Sequence, residues 1–105
     1  VNFASGSASL TRSSEETLQK ALDALVANKD VIVEIAGYTD NVGSSDKNEI
    51  LSAKRAQTVK TWLVKRGVAA NRLTTVGKGM RDPIAPNDSP EGRAQNRRIE
   101  FHVQK

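Results

Sequence analysis

The chain has 105 residues, 37% hydrophobic and 27% charged, which is enough for one domain with a modest core. It has no cysteine and a single histidine, His102; disulfides and thiolate metal sites are excluded, and little is left for a histidine metal centre or a catalytic triad. The net charge of +4 is mild and spread along the chain, only Phe3, Tyr38, Trp62 and Phe101 could stack on bases, and no apolar run approaches the ~20 residues of a membrane-spanning helix, so neither nucleic acid nor a bilayer is the expected partner.

Taken in order, Val1 to Phe3 reads as the end of a short strand, and ASGSASLTRSS (4–14) as a loop of small polar residues. Ser13 with Glu16 three residues on is a capping-box pattern. Leu18, Leu22 and Leu25 then mark the buried stripe of a first helix ending near Asn28. VIVEIAGY (31–38) is a β-branched strand with a mixed pattern, largely covered, with Glu34 expected near an edge or end. TDNVGSSDK (39–47) is a loop, and a second helix runs from about Lys47 to Arg66, closed by Gly67. After the link VAANR, LTTVGKG is a strand. MRDPIAPNDSPEG, with all three prolines, is a long irregular loop, EGRAQNRR a turn of helix, and RIEFHVQK the closing strand with Ile99, Phe101 and Val103 on one face. The order β-α-β-α-β-β predicts an α/β fold of the α+β sandwich kind, with two main helices packed on one side of a small mixed sheet, as one domain over 1–105.

Arg55 is out of place for an ordinary surface helix. At roughly 100° per residue, Leu51, Ala56, Val59, Trp62 and Leu63 fall on one arc, and Arg55 projects into its middle beside Asn48 and Ser52. Lys47, Lys54, Lys60 and Lys65 fall outside it. A guanidinium turned inward needs an anionic partner. Asp40, just after the strand and before the second helix, comes from the adjacent element and could approach Arg55. Two readings are open. Asp40 and Arg55 form an internal salt bridge, or an exposed Asp40 takes a ligand ammonium while Arg55 holds a carboxylate through two parallel bonds. In the second, Asn48 and Thr39 add amide and hydroxyl groups. In GRAQNRR, Arg97 and Arg98 point to opposite faces, so at most one joins Arg55; surface and strand-end packing is the other role for these arginines.

Enzymatic signatures are missing. GKG lacks the spacing of a phosphate loop, no GxSxG elbow is present, and nothing fixes Asp40 and Asp46 as an acid–base pair. The expectation is a binding module, not an enzyme, with no cofactor and no metal.

The stretch IAGYTDNVGSSDKNEILSAKRAQTVKTWLVKRGV followed by RLTTVGKGMRDPIAPNDSPEGRAQNRRIEF closely resembles the OmpA-like C-terminal domain. The motifs that carry the likeness are GxTD, NxxLSxxRAxxV, GKGMRDP and GRAxNRR, in this order, covering nearly everything from Val31 onward. The resemblance implies noncovalent binding of peptidoglycan through the meso-diaminopimelate of its stem peptide. It implies that Asp40 and Arg55 grip the amino-acid centre of that residue, with Thr39, Asn48 and one arginine of NRR, taken as Arg97 over Arg98, completing the site. It also implies a periplasmic, wall-associated domain excised from a longer protein anchored in the outer or the inner membrane through flanking segments. Two features depart from the family pattern: Tyr38 stands where many members have histidine, and the loop after Phe3 offers Ser5, Ser7 and Ser9 in place of acidic or asparagine-rich residues. The competing expectation is a structural or protein-interaction domain of the same fold that does not bind the wall.

Overall fold

The computed structural model describes residues 12–104. The expected strand at Val1–Phe3, the loop serines after it and the capping side chain of Ser13 lie outside the described part. Helix α1 (Arg12–Ala27) is followed by β1 (Ile32–Gly37), α2 (Ser45–Lys65), a 3-10 turn (Ala70–Arg72), β2 (Leu73–Gly77), α3 (Pro90–Asn96) and β3 (Ile99–Gln104). The sheet order is β2-β1-β3, with β1 parallel to β2 and antiparallel to β3, so Ile35 lies between Thr75 and Phe101. The expected mixed sheet is present.

Alternation along β1 sends Val33 and Ile35 to the face that also carries Leu73 and Ile99. Leu18, Leu22 and Leu25 of α1 and Ala56, Val59, Trp62 and Leu63 of α2 close over that face in one core cluster. Both long helices therefore cover the same side, as their apolar stripes require. The other face carries Glu34, Glu100 and His102. Glu34 is not at an edge: β1 is the central strand, and the acidic side chain is accommodated because His102 stands opposite it in register, with Nδ1 3.4 Å from Oε1.

Three local devices shape the molecule. At the end of α2, Gly67 takes φ 105°, and the Gly67 and Val68 amides donate to Val64 O (3.1 Å) and Leu63 O (3.2 Å), the glycine-terminated stop that the sequence announces. At the end of α1, Arg72 reaches back from the 3-10 turn to donate to Leu25 O, Asn28 O and Val31 O at 2.9, 2.7 and 3.1 Å. Finally, α2 rests on bare backbone: a Cβ at Gly37 would collide with Ser52 O, and one at Gly77 would come within 2.8 Å of Ala53 N.

Helical structure exceeds expectation at three places, α2 among them, since it begins at Ser45 inside the expected loop. The first turn of α1 includes Arg12 to Ser14, assigned above to the loop. SPEG opens a seven-residue helix instead of ending a loop, because Ser89 caps it by accepting from Gly92 N (3.0 Å) and Pro90 sits where the missing N–H costs nothing. Asn96 at the end of α3 then organises the long loop: its Oδ1 accepts from Ile84 N and Ala85 N, and its Nδ2 donates to Ala85 O and Asn87 Oδ1. Among the described residues, no helix is long and apolar enough to cross a membrane.

Candidate functional site

Beyond β1 the chain stays pinned for two more residues. Tyr38 N donates to Arg98 O (2.9 Å) and Thr39 N to Gly79 O (2.7 Å), so the extended backbone is delivered to Asp40 between the segments that flank β1 on either side. The turn into α2 is then closed from within. Asp40 Oδ1 accepts from Val42 N (3.1 Å), an aspartate holding the backbone two residues on. Thr39 Oγ1 donates to Asp40 O (2.9 Å). Asn48 Nδ2 donates to Val42 O (3.1 Å), with Asp40 O at 3.5 Å and the Met80 sulfur at 4.0 Å. Ser44 caps α2 by accepting from Lys47 N (3.2 Å).

Arg55 rises from α2 beneath this turn. It is fully buried (0% exposed), and its Nη1 donates to Tyr38 O at 3.1 Å. Burial pulls its pKa down to about 10; Asp40 opposes the fall and Arg97 adds to it. The guanidinium thus stays charged at neutral pH and lies within the field of both groups.

The ion pair at this place joins Asp40 to Arg97, Oδ2 to Nη1 at 2.9 Å, and not to Arg55. Asp40 is buried, where the ligand-binding reading had it exposed: the residue is 4% accessible, and the Arg97 side chain, at 18%, is the outermost of the three charges. The reason lies in the long-range fold. The β1–β3 pairing brings residue 97, at the end of α3, over the end of β1. Arg55 and Arg97 each make further contacts beyond those named. Arg98 turns the other way, stacking on the Tyr38 ring at 3.8 Å. All five expected residues, Thr39, Asp40, Asn48, Arg55 and Arg97, therefore converge at one end of the sheet. Two of them, Thr39 and Asn48, direct the polar groups named above to holding the turn.

Contacts next to Arg55 also come from residues that the sequence did not single out for a site. Gly79 N donates to Ser52 Oγ (2.8 Å), and Ser52 Oγ to Glu49 O (2.9 Å), tying the segment after β2 to α2 next to Arg55. The signal was the helical arc itself, which puts Ser52 beside Arg55. Two surface concavities lie elsewhere. One, of about 490 Å³, runs along α2 past Thr58, Trp62 and Arg66; the other, of about 340 Å³, is an apolar groove between α1 and β3 lined by Leu25, Val33 and Phe101. Neither gathers opposite charges as the Asp40 cluster does.

Known proteins resemble this chain in sequence and in fold. The peptidoglycan-binding protein ArfA of Mycobacterium tuberculosis is 48% identical over 103 residues, 98% of this chain and 32% of the relative. Outer membrane protein A of Bordetella avium is 42% identical over 85 residues, 81% of this chain and 43% of the relative. The chain spans less than half the length of either relative. Among solved structures, the peptidoglycan-associated lipoprotein of Burkholderia pseudomallei superposes with a TM-score of 0.92 at 31% identity, covering 99% of this chain and 88% of that one. The C-terminal domain of Helicobacter pylori MotB superposes with 0.90 at 28% identity, covering 99% and 82%. The OmpA family model matches residues 2–97, and the chain belongs to the OmpA family.

Proposed function

We propose that this domain binds peptidoglycan noncovalently, through the meso-diaminopimelate of the stem peptide, and tethers a longer, membrane-anchored parent protein to the cell wall from the periplasm. The observation that carries this reading is the convergence of Arg55, Asp40 and Arg97 at the end of β1 in a chain whose relatives include a named peptidoglycan-binding protein. A zwitterionic amino-acid centre presents an ammonium and a carboxylate a few ångströms apart. Asp40 takes the ammonium, exchanging it for the Arg97 guanidinium that now occupies Oδ2. Arg55, in a low-dielectric setting where each charge–charge contact counts for more, takes the carboxylate. Thr39 and Asn48 keep the turn rigid so that the Asp40 carboxylate stays aimed, and Arg97, as the outermost charge, moves aside or closes over the ligand.

The Asp40–Arg97 pair also supports a second reading, in which the charges neutralise one another and the domain serves structure or protein contacts only. An amide NMR titration separates the two, using a diaminopimelate muropeptide and its lysine counterpart in parallel. Saturable shifts at Thr39, Asp40, Asn48 and Arg55 with the first ligand alone are expected. Silence with both ligands in a folded sample would establish the second reading, and equal shifts with both would remove the selectivity for diaminopimelate.

A further inference from the structure

Arg98 is almost fully buried, and its donors go to its own neighbours Glu100 and Asn96 and across to Asp82. Nε donates to Glu100 Oε2 at 2.7 Å, Nη2 to Asp82 O at 2.8 Å, and Nη1 to Asn96 O at 3.4 Å, while the guanidinium plane covers the Tyr38 ring at 3.8 Å. Each of these contacts leads back to the site. Tyr38 is held on every side: its amide by Arg98 O, its hydroxyl by Glu100 Oε1 (3.4 Å), its ring by the Arg98 side chain. Its carbonyl is the acceptor for Arg55. Asp82 has φ 53°, the one non-glycine residue with positive φ among the described residues. Aspartate enters this region more readily than most non-glycine residues, and the bond from Arg98 to its carbonyl holds the turn in place. The segment thereby held carries Gly79 and Met80, the first accepting from Thr39 N and the second touching Asn48.

We propose, resting on the binding reading above, that Arg98 is a positioning residue of the diaminopimelate site. It does not meet the ligand; it sets where the Arg55 guanidinium and the Asp40 turn stand by locking Tyr38 to the 79–82 segment. The role needs the planar fork of arginine, which can stack on a ring while donating in several directions within its plane; lysine keeps the charge and loses both. Glu100 anchors the fork. Burial pushes its carboxyl upward, but hydrogen bonds from His102 and Arg98 outweigh this and hold it below its ordinary value, so it stays ionised.

The test uses the domain with Arg98→Lys, with Tyr38→Leu, and with both, each titrated with the diaminopimelate muropeptide. The Arg55 Nε–Hε resonance is followed in the ligand-free samples. Arg98→Lys is expected to weaken binding about tenfold, the equivalent of one charge-assisted hydrogen bond. It is also expected to shift the Arg55 resonance and the Thr39 and Gly79 amides, while amide exchange across α1 and the middle of α2 keeps its protection. The affinity losses from Arg98→Lys and Tyr38→Leu should overlap instead of adding, since one acts through the other. Affinity within about twofold of the parent, the scatter of independent surface changes, together with an unmoved Arg55 resonance, would overturn the proposal; so would strictly additive losses. Should Arg98→Lys unfold, Glu100→Gln releases the same fork more gently and should move the Arg55 resonance in the same direction. If the parent domain binds no muropeptide, the binding reading fails by itself, and the Arg55 resonance still decides whether Arg98 sets that guanidinium.

Discussion

A buried guanidinium is costly, and Arg55 shows how the cost is met. Its surroundings supply the Tyr38 carbonyl and the field of Asp40, while Arg97 works against it. Its inward direction was legible from the helical arc alone, since the lysines of α2 fall outside the arc and Arg55 does not. The identity of the partner of Asp40 was not legible. Residues 40 and 97 are far apart in sequence, and only the register of β3 on β1 decides that Arg97, and not Arg98, reaches the carboxylate. Replacing Arg55 by alanine leaves the buried Tyr38 carbonyl without this donor, a loss of about 1–3 kcal/mol that relief of the buried charge partly offsets. We expect a folded domain with a lowered melting temperature and no detectable muropeptide binding. Calorimetry together with the NMR titration checks both, and equal loss of fold and binding would instead favour the purely structural role.

The elements divide into those with visible stops and those without. Gly67 announces the end of α2, and its φ of 105° places it where a β-carbon is strained even though open space surrounds it. Gly67→Ala is therefore expected to cost about 1 kcal/mol, read as a shift of the denaturation midpoint at unchanged slope. The end of α1 is marked only by Asn28, whose Nδ2 donates to Ala24 O (2.7 Å). Leu25 O and the Asn28 carbonyl just beyond the helix are taken by Arg72, more than 40 residues downstream, which no local pattern reveals. Removing this side chain strips three carbonyls of a charged donor, and Arg72→Ala should lower stability by about 2–3 kcal/mol. Amide exchange should accelerate first around residues 25–31, and uniform acceleration across the domain would contradict this account. Helix α3 was legible as a turn of helix over EGRAQNRR, but its start at Pro90 was hidden in the proline-rich loop. Ser89 followed by Pro90 is as good a helix start as it is a turn, and the outcome rests on Gly92 packing against the Pro86 carbonyl and on Asn96 gathering the loop, both invisible to periodicity.

At the scale of the whole molecule, the sheet face opposite the helices carries a charge ladder from Glu34 through His102 and Glu100 to Arg98. Hydrogen bonding to Glu100 raises the His102 pKa above its ordinary 6.5, against a smaller downward push from burial, and Glu34 adds to the rise. A group whose pKa is raised on folding stabilises fully below its unfolded value and loses that contribution as pH climbs through the folded one. Glu100 behaves oppositely. Its pKa lies below the ordinary 4.5, so its contribution is present above 4.5 and fades as pH falls through the folded value. Both contributions are complete between pH 4.5 and 6.5. Stability should decline on the alkaline side of that window in the parent and not in His102→Gln, a comparison that thermal melts across pH make directly. The helix-on-sheet layering was readable from Leu18, Leu22, Leu25, Val33 and Ile35, because burial imposes a period on each. The ladder was not: alternation puts Glu100 and His102 on one face, but only strand register brings Glu34 opposite His102.

Gly37 and Gly77 set the spacing between α2 and the sheet. With the helix backbone lying on both strands where they end, the height of Arg55 above Tyr38 is calibrated by two absent side chains. A methyl group at either position would act as a shim beneath the N-terminal half of α2, while the C-terminal half, seated by Val59 and Leu63, stays in place. The helix would tilt before it detached, and the site would lose its dimensions while the core kept its contents. The spacing of the charged cluster is thus written at two positions that carry no chemistry of their own.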